Sequence, residues 1–196
     1  MIPNYIVVIP ARYESTRLPG KPLVNIAGKA LIQRVYEQCA KAVERNLIYV
    51  ATDDDRIRST CESFGAKVIM TSSQCLTGTD RVAEVAKKIK VDSYINVQGD
   101  EPIIKPNDID KIYKYAKKNR NEVINGYAKI KNYSELKNPN IPKVVFDNKK
   151  NLMYISRHLI PFVKNRSRLL FFLKVYLLMY HQNMLLIFLL MRFYLL

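Results

Sequence analysis

The chain has 196 residues, 48% of them hydrophobic, which is enough for one domain with a full core. Its net charge of +15 is unevenly placed: Asp147 is the last acidic residue and eight Lys or Arg follow it, leaving residues 1–147 with 24 basic and 17 acidic side chains, a net of +7. That smaller excess is scattered and carries no RNP-like, zinc-finger or arginine-stripe pattern, so it argues against a nucleic-acid reader and for a small polyanion such as a nucleotide triphosphate.

In chain order, Tyr5–Pro10 and Leu47–Thr52 are predicted strands, followed by Lys67–Thr71 and Tyr94–Val97. Continuous apolar runs of this length suit strands buried on both faces, as in a parallel sheet. Ala30–Val43, Asp55–Phe64 and Asp80–Ile89 lie between them with apolar residues at helical spacing; Asp55 and Asp80 suit helix openings and Gly65 a helix stop. Residues 106–119 predict a further helix with Pro106 near its start, and 122–130 and 143–147 further strands. The alternation predicts an α/β fold, a mainly parallel sheet with helices on both faces built from right-handed βαβ units.

Cys39, Cys61 and Cys75 include no CxxC pair, so neither a disulfide framework nor a zinc site is expected. The N-terminal MIPNYIVVIP has no basic leader before a long apolar stretch, and the expected compartment is the cytoplasm.

In such folds ligands bind at the carboxyl ends of the strands. Three polar clusters fall there: Arg12–Lys21, Thr52–Asp55 and Gln98–Glu101. The first, ARYESTRLPGK, offers forked and point-charge donors for phosphate oxygens without being a Walker A loop. In the third, Asp100 ends a strand as a natural magnesium ligand, since that ion takes one or two carboxylates plus substrate phosphates; an Asx-turn or helix cap is the alternative. Leu76-Thr77-Gly78-Thr79-Asp80-Arg81 reads equally as an anion- or base-binding helix start and as a plain capped helix.

Together these segments resemble the 3-deoxy-manno-octulosonate cytidylyltransferase (CMP-Kdo synthetase) family of lipopolysaccharide and capsule biosynthesis. The resemblance rests on IPARYESTRLPGKPLVNIAGK (9–29), ATD (51–53), TGTDRVAEV (77–85) and NVQGDEP (96–102), then NPN (138–140), KVVFD (143–147) and YISRHLIP (154–161). It implies a nucleotide-diphospho-sugar transferase fold and transfer from CTP to Kdo with release of pyrophosphate. It further implies Arg12, Lys21 and Asp100 as catalytic residues. Ala11, Arg12, Lys21, Ser72, Ser73, Gly78, Thr79, Asp80 and Arg81 would bind CTP, Gln98 and Arg157 would face the sugar acid, and Asp100 would hold Mg2+. Thr77, where the family has serine, and Pro142, where it has an apolar residue, are mild departures.

The motifs stop near Arg166. Residues 169–196 hold eleven leucines and no acid, so the catalytic domain is drawn as 1–168 and the rest as an atypical hydrophobic tail. A reading frame shifted near 166–170 is one account of it; a natural anchoring or pairing tail is the other. The family's second magnesium-binding aspartate has no counterpart after Asp147, and the family's homodimer would be compromised. The alternatives to an active enzyme with CTP and Kdo as partners are an inactive CTP-binding remnant or a cytidylyltransferase for another acidic sugar. No nucleic acid is expected, and no membrane unless the tail anchors.

Overall fold

The structure, a computed structural model, describes residues 4–15, 18–119, 122–161, 173–182 and 191–195, with only the backbone described for the last two stretches. Thr16 and Arg17 of the basic loop, and the 166–170 break, lie outside the described residues.

One half of the main sheet is parallel. β1 (Tyr5–Pro10) lies between β4 (Ile48–Thr52) and β6 (Ser93–Val97), and β5 (Lys67–Met70) flanks β4. Between these strands run α1 (Leu31–Cys39), α2 (Asp55–Ser63) and α3 (Gly78–Lys88). The short hairpin β2 (Asn25–Ile26) and β3 (Lys29–Ala30) precedes α1. Side chains of β1 alternate as strand geometry requires. Val7 and Ile9 pack with Ile32 and Val35 of α1 and Ile57 of α2, while Ile6 and Val8 pack with Val82 and Val85 of α3. All nine are fully buried, each burial contributing about 1.5–3 kcal/mol. Helices therefore cover both faces, as the apolar runs predict.

The other half is mixed. It contains α4 (Pro106–Lys118), β7 (Val123–Lys129), α5 (Tyr133–Lys137), β8 (Lys143–Phe146) and β9 (Leu152–Ser156). β10 (Leu173–Gln182) runs antiparallel between β6 and β7 and also pairs β8, and β11 (Met191–Leu195) lies parallel to β7. The spatial order is β11-β7-β10-β6-β1-β4-β5. Part of the segment drawn as a tail thus occupies an interior strand position of the sheet. A leucine-rich run without alternation suits such a position as well as it suits a tail, so composition could not separate the two. Among the described residues no helix is long and apolar enough to cross a membrane.

Helix starts differ slightly from those expected. Asp54, not Asp55, caps α2, accepting the N–H groups of Arg56 and Ile57. α3 begins at Gly78 behind a capping box in which Thr77 and Asp80 satisfy each other's backbone N–H groups. α1 ends at Cys39, four residues before the predicted Val43, in a turn where Ala40 N–H donates to Tyr36 O.

Candidate active site

The carboxyl ends of β1, β4, β5 and β6 share one edge, and the expected residues gather there. Ala11 continues β1, its N–H donating to Ala51 O at 2.9 Å. The basic loop then closes on itself: Gly20 N–H donates to Tyr13 O at 2.8 Å, and Gly20 adopts φ +70°. A Cβ on Gly20 would stand 3.1 Å from the Tyr13 ring, so the tyrosine packs against bare backbone there. On that ring sits the Arg56 guanidinium, 3.3 Å from its centroid and forked onto Asp54. This seats the first turn of the loop against the start of α2.

Lys21 leaves the loop and donates from Nζ to Asp100 Oδ2 at 2.5 Å, with both side chains more than two-fifths exposed. β6 brings Asp100 there because Gly99 lets the two strand ends meet: a Cβ at 99 would lie 2.7 Å from Pro10 O. Beside the pair, half-buried Glu101 has its carboxyl pushed up, first by burial and then by Asp100, with Lys21 opposing. Gln98 lies against Gly78, within 3.3 Å of where a Cβ would stand, which joins the β6 edge to the start of α3.

Arg12 reaches the opposite side, donating from Nη1 to Leu76 O at 3.4 Å. Two hollows flank it. One of about 650 Å³ is bounded by Arg12, Tyr13, Asp53, Arg56 and Ser73. A smaller one of about 90 Å³ lies among Pro10, Ala11, Arg12, Leu76, Gly78 and Arg81. Arg81 is 2% exposed, and its guanidinium is committed to Thr71 Oγ1 and, at 3.1 Å, to Asp53 Oδ2. Asp53 Oδ1 is buried without a partner among the described residues.

A profile of the cytidylyltransferases matches residues 6–192, nearly the whole chain. The chain belongs to the cytidylyltransferase family. It is 47% identical over 170 residues to the 3-deoxy-manno-octulosonate cytidylyltransferase of Thermodesulfovibrio yellowstonii, covering 82% of this chain and 66% of that one. It is 44% identical over 169 residues to the 8-amino-3,8-dideoxy-manno-octulosonate cytidylyltransferase of Shewanella pealeana, covering 84% and 69%. It thus spans about two thirds of the length of these curated relatives. A solved CMP:2-keto-3-deoxy-manno-octonic acid synthetase complexed with CTP superposes with a TM-score of 0.85 at 38% identity, over 92% of this chain and 74% of that one. The profile runs past Arg166, where the recognisable motifs stop.

The cytidylyltransferase edge carries most of the expected residues in two groups: Ala11, Arg12, Ser73, Gly78 and Arg81 around the hollows, and Lys21 paired with Asp100, neither of which belongs to that lining. Thr79 lies in the first turn of α3, and Asp80 gives its carboxylate to the Thr77 hydroxyl and N–H. Arg157 instead donates to Pro139 O and Asn140 O, and no described contact joins it to Gln98 or Asp100. Its main-chain oxygen accepts from the fully buried Lys143 ammonium, which also donates to Asn138 O. Burial, and then the Arg157 charge, lower the Lys143 pKa. Tyr13, Glu84 and Lys143 stand in the quoted motifs without an assigned role, and Arg56 lies outside them. Only Glu84 left a usable signal, standing four residues after Asp80 on one helix face.

No group of three or more His, Cys, Asp or Glu side chains among the described residues could form a metal cage. A single exposed carboxylate at a strand end does fit magnesium, which fills its remaining positions with phosphate and water.

Proposed function

We propose that this chain binds CTP across the carboxyl edge of β1, β4, β5 and β6 and transfers its cytidylyl group to a 3-deoxy-manno-octulosonate-type sugar acid. The observation that carries this reading is the Lys21–Asp100 pair, a cation from the basic loop after β1 and a carboxylate from the turn after β6 meeting at 2.5 Å, on the sheet edge that also carries Arg12 and the two hollows. In the reaction the anomeric hydroxyl of the sugar attacks the α-phosphorus, the phosphoanhydride bond breaks, and pyrophosphate leaves. Arg12 and Lys21 would bind the triphosphate oxygens and neutralise charge developing on them. Ala11, Ser72, Ser73, Gly78 and Thr79 would contact the nucleoside. Arg81 would act through Asp53 and Thr71, to which its guanidinium is bound, and Asp80 through the cap it closes. Gln98 and Arg157 would face the sugar. Asp100 would hold Mg2+, which when bound polarises the phosphoryl oxygens.

Relatives named for both the 3-deoxy sugar and its 8-amino-3,8-dideoxy counterpart support this acceptor class without separating its members. A second reading is CTP binding without turnover. Pyrophosphate release from CTP and magnesium with each sugar, beside CTP calorimetry, tests both. Turnover lost in Asp100→Ala supports the enzyme, and binding without turnover supports the second reading. Failure to bind CTP sinks both.

A further inference from the structure

We infer that Glu84 is a positioning residue that staples the 71–77 loop into the shape that meets the nucleotide and Arg12. The inference rests on the cytidylyltransferase reading for what that loop binds. Glu84 stands on α3, and its Oε2 accepts the Ser72 N–H at 2.7 Å and the Cys75 thiol at 3.2 Å. One carboxylate oxygen therefore holds two points of the loop, three residues apart.

The loop has little else to hold it. Ser72, Ser73, Gln74, Leu76 and Thr77 are all exposed, Leu76 at 81%, so apolar burial does not anchor its course. Its own bonds, Gln74 N–H to Ser72 Oγ at 3.0 Å and Cys75 N–H to Ser72 O at 3.3 Å, shape the turn locally without tying it to the helix. The capping box fixes Thr77 at the far end. Glu84 supplies the tie in between, and the next residue, Leu76, presents the carbonyl that Arg12 reaches. The Ser72 N–H is the largest influence holding the Glu84 carboxyl below its ordinary range. The Cys75 thiol is raised by burial first and then by Glu84.

Cys75 makes the staple measurable. Cys39 and Cys61 are fully buried, so iodoacetamide should label the native protein at Cys75 alone. Glu84→Gln keeps the side chain's shape and removes its charge. Its expected signature is several-fold faster Cys75 labelling, a CTP Kd raised about tenfold, the loss matching a charged hydrogen bond, and a Tm lowered by only a few degrees in a protein that stays folded. Equal labelling rates in Glu84→Gln and the parent would overturn the staple, and faster labelling with unchanged CTP affinity would overturn its positioning role. If the parent binds no CTP, the cytidylyltransferase reading fails while the labelling comparison still decides the staple. Should Glu84→Gln unfold and expose all three thiols, Cys75→Ala removes one of the two donors. It should weaken CTP binding two- to threefold, about half the effect of a charged hydrogen bond, and an unchanged Kd again refutes the inference.

Discussion

Replacing Gly99 by alanine tests whether the site is built by close approach of two strand ends. The added Cβ would lie 2.7 Å from Pro10 O, 3.3 Å from Ile32 Cδ1 and 3.6 Å from Ile9 Cγ2. The tightest neighbour is a backbone carbonyl at the end of β1 and cannot rotate aside, so β1 and β6 must separate by a few tenths of an ångström. Overpacking of this kind costs about 1–3 kcal/mol. For a chain of this size a loss near 2 kcal/mol lowers Tm by roughly 4–8 °C. The same displacement moves Ala11 and Arg12 on one side and Asp100 on the other. Site geometry tolerates little such movement, and about a tenfold loss of CTP affinity or turnover is expected. Thermal melting with CTP calorimetry measures both effects without requiring turnover. A Gly99→Ala protein melting within about 1 °C of the parent, with unaltered CTP affinity, would refute the close-approach argument.

Lys21 and Asp100 are exposed, so Asp100→Asn should change stability by less than about 1 kcal/mol in urea unfolding. The same variant should lower cytidylyl transfer by two or more orders of magnitude, and comparable losses in both would show a structural role instead. Arg81→Ala leaves the partly buried Asp53 without its cation and should cost about 1–3 kcal/mol, and adding Asp53→Asn should recover part of that; simple additivity in denaturant melts would count against a coupled pair. The Arg56 hydrogen bond to Asp54 and the Ser72 N–H to Glu84 hold these carboxyls below their ordinary values of 3.8 and 4.5. With folded values below unfolded ones, their stabilisation is complete above 4.5 and disappears as pH falls through the folded values. Melts across that range should therefore show a shallower acid decline in Glu84→Gln, and a parallel decline would refute this assignment.

Periodicity and turn chemistry alone determined much of this protein. Apolar runs such as Tyr5–Pro10 need cover on both faces, and the helical spacing between them supplies it, so the α/β alternation followed from residue types. The polar clusters after the strands then had to share one edge, because parallel strands all end on the same side. Local pattern could not name the partners that packing supplies. The family resemblance implied a CTP contact for Arg81; local pattern could not show that the fold brings Asp53, 28 positions earlier, within hydrogen-bond distance of its guanidinium. Lys143 appeared as one more basic residue beside a valine pair, and its full burial depends on main-chain oxygens at Asn138 and Arg157. Arg157 illustrates the reverse, a motif residue whose guanidinium is held by a neighbouring turn. Residues 173–182 show the same limit at the scale of an element. A leucine-rich run states only that it avoids water, and whether a sheet, a membrane or a second molecule excludes that water depends on which edges the rest of the fold leaves open, here those of β6 and β7.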